Sequence, residues 1–222
     1  MTKAQKGLLA VIFLAVAMWI VPLGYFVVLP LAFLNTHFHE LLHAVTAVAT
    51  GGSADRILVF ADGSGMTPVT GGWLALVASA GYVGCAAVGG VLILCGRSER
   101  AARRAFAVCG GAIALSLLLW VRGDGIGFIA GVFWAALLLL CAYKLPSEPA
   151  KFAIQFLGAM LALSSLQSLL VLVGISAMPQ AQSDAALMER ATGLPALVWA
   201  VAWSAIGVVV LAVCVRRAFE RR

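Results

Sequence analysis

Trp73-Leu74-Ala75-Leu76-Val77-Ala78-Ser79-Ala80-Gly81-Tyr82-Val83-Gly84-Cys85 opens an uncharged apolar run that continues to Cys95 and stops at Gly96-Arg97-Ser98-Glu99-Arg100. A helix that crosses a bilayer needs about 20 apolar residues, so Trp73–Cys95 is long enough to span. Downstream, Ala105–Val121, Phe128–Tyr143, Phe152–Ile175 and Pro195–Val215 repeat the pattern, and upstream Gly7–Leu34 does the same. Six membrane spans are therefore expected. Gly7–Leu34 exceeds the length of a signal-peptide core and no small-residue cleavage site follows it, so it reads as a retained anchor, tilted or kinked at Pro22 and Pro30.

Composition agrees. Apolar residues make up 63% of the 222 positions and charged residues only 11%, against roughly 45–50% and 25% in soluble domains, and the mean hydropathy is +1.06. A soluble globular enzyme, a disordered chain and a free nucleic-acid binder are excluded, and the lipid bilayer is the expected surrounding. The net charge of +6 sits between apolar runs, as in cytoplasmic loops facing anionic lipid. With six spans, every Lys and Arg except Arg56, Arg122 and Arg190 falls on one side, together with both termini. The Ala-, Leu- and Val-rich, Lys-poor usage points to a bacterial cell membrane, with both termini cytoplasmic. Cys85, Cys95, Cys109, Cys141 and Cys214 lie in or beside apolar runs without C-x-x-C spacing and read as buried hydrophobes.

Two shorter pieces lie on the opposite side. Thr36–Thr50 is too short to span and should form a re-entrant or interfacial helix, capped by Asn35 or Thr36 and stopped at Gly51 or Gly52. Residues 51–72 run from Gly-Gly through Arg56–Phe60, turn at Asp62-Gly63-Ser64-Gly65 and return to Gly-Gly, which predicts a β-hairpin.

All three histidines fall in Asn35-Thr36-His37-Phe38-His39-Glu40-Leu41-Leu42-His43. His39-Glu40-x-x-His43 places two imidazoles one helical turn apart, on a face where both can reach one metal ion. Glu40, between them, is placed to take a proton from metal-bound water and pass it to a leaving amine. Ionisable side chains at membrane depth are costly and usually functional. His37 lies on another face and is expected at the interface. Catalytic zinc takes three protein ligands and keeps one open position, and no fourth histidine exists. Asp55 adjoins Arg56, Asp62 and Asp124 sit in glycine turns, and Asp184 stands where it could either cap a helix or ligate, so the residues alone leave the third ligand open.

His39–His43, the Thr50-Gly51-Gly52 stop, the Asp62–Thr67 turn and Ser79-Ala80-Gly81-Tyr82-Val83-Gly84 together resemble the M50B-like branch of the site-2-protease metallopeptidases. Ser183-Asp184-Ala185, Thr192-Gly193-Leu194-Pro195, Trp199 and Trp203 resemble it too. The resemblance implies a zinc-dependent, membrane-embedded peptidase in which His39 and His43 bind zinc, Glu40 is the general base and Asp184 is the third ligand. Leu42 stands where such proteins often have glycine, which would crowd a helix contact. The expected fold is all-α polytopic: about six transmembrane helices, a short HExxH helix over 36–50 and a small hairpin over 51–72, in one membrane domain covering 1–222. The expected partner is a membrane protein or peptide substrate, held extended along the hairpin edge, and no nucleic acid. Two other classes stay open, a catalytically inactive membrane binding or regulatory protein and, with less support, a small transporter.

Overall fold

The HExxH motif lies deep inside a long helix. Helix α1 runs Gly24–Ala49, 26 residues, or about 39 Å at 1.5 Å per residue. This computed structural model describes residues 24–123, 125–163 and 183–220, with positions 6, 7, 9, 10, 12, 13, 16, 17, 21 and 166. The expected separate helix over 36–50 is thus corrected: α1 passes through Asn35 and Thr36 without a break. Asn and Thr cap a helix only where the preceding backbone leaves helical angles, and nothing between Leu31 and His39 forces that. Their side chains are used otherwise, with Asn35 buried and Thr36 Oγ1 donating to the Gly63 carbonyl at 2.6 Å. Pro30 lies inside α1, and its carbonyl accepts from Trp134 Nε1 at 2.8 Å. The stop is where the sequence puts it: Gly51 adopts φ +85° and the Gly52 N–H returns to the Ala47 carbonyl at 2.8 Å, a left-handed closure that glycine makes without a Cβ penalty.

Residues 51–72 form nested antiparallel pairs, β1 (Ser53–Ala54) with β4 (Val69–Thr70) and β2 (Leu58–Val59) with β3 (Gly65–Met66). The ladder is interrupted at Ile57, which is fully buried and bridges away to Val121 through Ile57 N to Trp120 O and Arg122 N to Ile57 O, both 2.9 Å. At the tip, Asp62 Oδ1 accepts from the Ser64 amide at 2.9 Å and the Ser64 hydroxyl at 2.6 Å, which holds its carboxyl below the usual range.

Among the described residues, four helices are long and apolar enough to cross a membrane: α2 (Leu74–Cys95), α3 (Glu99–Leu119), α4 (Gly125–Lys144) and, after α5 (Ser147–Ala162) and α6 (Asp184–Thr192), α7 (Ala196–Phe219). They correspond to the second, third, fourth and sixth expected spans. Gly7–Leu34 and Phe152–Ile175 extend into residues outside the described ones, as does Asp124. Helix α3 begins six residues before the apolar run because Ser98 Oγ accepts from the Ala101 amide and Glu99 pairs with Arg103 one turn on at 2.9 Å.

α2 packs on α5 and α3 on α4. The basic segments gather at one end, where Arg103 reaches the Ala142 and Leu145 carbonyls and Arg97 the Glu220 carbonyl. The hairpin and the Trp120–Arg122 turn meet at the other end.

Candidate metal centre

Three elements converge on one point. On α1, His43 is buried and His39 is largely so. The His43 Nδ1–H donates to the Val77 carbonyl of α2 at 2.6 Å. A carbonyl can only accept, so this bond fixes the tautomer and turns Nε2 inward, as the outer partner of a metal-bound histidine does. Opposite stands Asp184, the first residue of α6. Its Oδ2 lies 3.2 Å from His39 Nε2 and 3.3 Å from His43 Nε2.

Asp184 is not the cap of its helix. Ser183 takes that place, its hydroxyl accepting from the Ala186 amide at 3.2 Å, which leaves the Asp184 carboxylate free to face α1. Helix α6 is held by Ala185 and Met188, both buried against Ala78, Ala200 and Trp203. Glu189 in turn accepts from the Ala196 amide at the start of α7. Burial pushes the Asp184 carboxyl up, but its contacts with the two histidines outweigh this and hold it far below the ordinary carboxylate range.

Ligand atoms of His39, His43 and Asp184 all lie within 4.8 Å of one another. Zn–N and Zn–O bonds of about 2.0–2.1 Å set the edge of a tetrahedron at about 3.3 Å, which matches the two N···O separations. Bare lone pairs at that distance repel, so a proton or a metal ion must lie between them. Two imidazoles and one carboxylate, with one imidazole oriented from behind, are a donor set that fits zinc.

Glu40 is buried at 4% exposure. Its Oε2 accepts from Thr67 Oγ1 at 2.7 Å, and β3 lies so close that a Cβ on Gly65 would stand 2.7 Å from Glu40 Oε1. The hairpin therefore covers the glutamate. Among the described residues, the other carboxylates are engaged elsewhere: Asp55 with Arg56, Asp62 in its own turn, Glu99 with Arg103, Glu148 with Lys151, Glu189 with the Ala196 amide and Glu220 with Arg216.

The structure adds residues to which the sequence attached no role. Within α2, Ala80–Gly84 form a π-helical turn, a distortion often found at functional sites. It brings the Gly81 backbone against the His39 ring, where a Cβ would fall 2.3 Å from Nε2. Tyr82 meets His39 edge-on with centroids 4.5 Å apart and stacks on Trp203 at 4.9 Å. Trp203 Nε1 donates to Ser79 Oγ. The crowding expected at Leu42 is relieved by Gly84, whose Cβ would lie 3.2 Å from Leu42 Cδ1. His37, expected at the interface, is instead 1% exposed. It faces α4, with Nε2 3.0 Å from the Gly127 carbonyl, and stands apart from the metal-ligand group.

The peptidase M50B-like family profile matches residues 8–214. This chain belongs to the peptidase M50B-like family. The match covers nearly the whole chain and makes it a membrane metallopeptidase in kind. No curated protein and no solved structure matches it. Within this M50B-like chain, the motif residues His39 and His43 lie on α1 and Asp184 on α6, brought together across 145 residues of sequence.

Proposed function

We propose that this chain is a zinc-dependent peptidase that hydrolyses peptide bonds in or near the membrane, with His39, His43 and Asp184 as metal ligands and Glu40 as general base. The observation that carries the reading is the approach of Asp184 Oδ2 to both imidazole nitrogens, at 3.2 and 3.3 Å. When bound, zinc supplies a Lewis acid that polarises the scissile carbonyl and lowers the pKa of water towards about 7. Val77 holds His43 in one tautomer through its carbonyl. Tyr82 and Gly81 confine the His39 ring from the other side. Glu40 takes the proton of the attacking water and returns it to the leaving amine, while the Thr67 hydroxyl keeps one of its oxygens in place. Helical substrates hide their peptide bonds, so the substrate is a membrane protein or peptide that enters extended, and the hairpin beside Glu40 offers a strand edge to receive it. The clustering of basic segments at one end supports a multi-pass protein of the cell membrane with that end and both termini cytoplasmic.

Metal content and cleavage of a single-span peptide with a helix-breaking centre test this. Purified protein should carry about one zinc per chain. His39→Ala, His43→Ala and Asp184→Ala should each lower zinc affinity tenfold or more, and Asp62→Ala should not. Glu40→Gln should keep the zinc and lose cleavage, because an amide cannot accept the proton. Unchanged zinc in Asp184→Ala, or undiminished cleavage by Glu40→Gln, would overturn the corresponding role.

A further inference from the structure

The splayed pair α2 and α3 frames a second site, far in the chain from the histidines. The two helices are joined by the short Gly96-Arg97-Ser98 turn, yet each is committed to another neighbour. Gly89 of α2 lies against the Gly158 backbone of α5, and Gly110 of α3 against Ala135 and Leu139 of α4. Between α2 and α3 remains a cavity of about 670 Å³, walled by Val88, Val91, Leu92, Val108 and Cys109 and closed at its polar end by Arg100 and Arg104. Val91 and Val108 are 59% and 69% exposed, so the apolar wall opens sideways, where a spanning helix meets lipid.

The arginines around the mouth divide into two kinds. Arg103 is bound by Glu99, Ala142 and Leu145, and Arg97 by the Glu220 carbonyl. Arg100 and Arg104 are exposed and, among the described residues, pair with no carboxylate. They sit at i and i+4 on one face of α3, so both guanidinium groups can reach one anion. They also stand in the first turns of a 21-residue helix, where its dipole favours negative charge. Guanidinium groups bind phosphate in bidentate fashion.

We infer that the α2–α3 cavity holds one anionic glycerophospholipid, its acyl chain between Val91 and Val108 and its phosphate on Arg100 and Arg104. Either half alone would be ordinary, an apolar surface touching lipid or a basic loop near a headgroup layer. Together, at one end of one cavity, they match the two ends of a single amphiphile. The bound lipid fills the gap between α2 and α3.

Native mass spectrometry of the full-length protein in detergent tests this, with phosphatidylglycerol and phosphatidylcholine of matched chains. The parent should retain phosphatidylglycerol at least tenfold better than phosphatidylcholine. Arg100→Gln combined with Arg104→Gln should bring the two lipids level. Val91→Trp, which fills the apolar wall but leaves the arginines, should reduce phosphatidylglycerol retention tenfold. Arg217→Gln, a charge loss at the end of α7, should change nothing. Glycerol phosphate at the same concentration should not displace the lipid. Equal retention of both lipids by the parent would overturn the inference, as would a preference that survives the double substitution or an equal loss in Arg217→Gln. Full displacement by glycerol phosphate would show a free-phosphate site instead.

Discussion

Replacing Gly81 with alanine should disable the metal site without touching any proposed ligand. A Cβ at this position would stand 2.3 Å from both Cε1 and Nε2 of His39 and 2.6 Å from Nδ1, whereas ordinary contact begins at 3.4 Å. The overlap is about 1.1 Å, the difference of those two distances. Two of the directions in which the ring could retreat are occupied. Tyr82 closes one side with centroids at 4.5 Å and His43 another at 4.6 Å. Either His39 swings away from Asp184 and His43, or α1 and α2 separate. Zinc ligands tolerate about ±0.2 Å, so a shift near 1 Å removes one imidazole from the set. Zinc affinity should then fall at least tenfold, with about 1–3 kcal/mol of stability lost to overpacking. Gly111→Ala is the internal control, since a Cβ there meets nothing within 4 Å. Both variants would be purified in detergent, checked for monodispersity and melting temperature, and titrated with a zinc chelator. Parental zinc affinity in a folded Gly81→Ala protein would refute the reasoning.

Thr67→Val removes the hydroxyl that donates to Glu40 Oε2 at 2.7 Å. Hydrogen bonds to charged groups contribute about 1.5–3 kcal/mol, so kcat should fall roughly tenfold to a hundredfold. Zinc content should be unchanged, and Thr67→Ser should restore the rate; full activity in Thr67→Val would remove the positioning role. The orientation is tested by cysteine labelling in a cysteine-free background: positions 100 and 218 should label from the cytoplasm and position 180 from the other side, and cytoplasmic labelling at 180 would reverse the charge reading.

The amino-acid sequence by itself determines whatever depends on local period or summed composition. Long uncharged runs have no soluble solution, so the membrane class follows from hydropathy alone. The i, i+4 spacing of His39 and His43 puts them on one helical face wherever that helix lies. The Gly51 stop is likewise legible, because left-handed closure favours glycine whatever surrounds it. Asp184 is an intermediate case. Resemblance singled it out, but local reading left it open between cap and ligand, and only the structure shows the Ser183 hydroxyl taking the cap while the carboxylate turns to α1. The remaining features depend on which surfaces meet. The continuity of α1 through Asn35 and Thr36, the bend of the hairpin at Ile57 towards Val121, the burial of His37 against Gly127 and the fit of Leu42 over Gly84 each involve partners distant in the chain. So does the π-helical turn that presses Gly81 on His39. No local pattern encodes a distance between two helices. That distance is settled when side chains close-pack across the interface, and at Gly81 the closeness of α1 and α2 depends on a side chain that is absent.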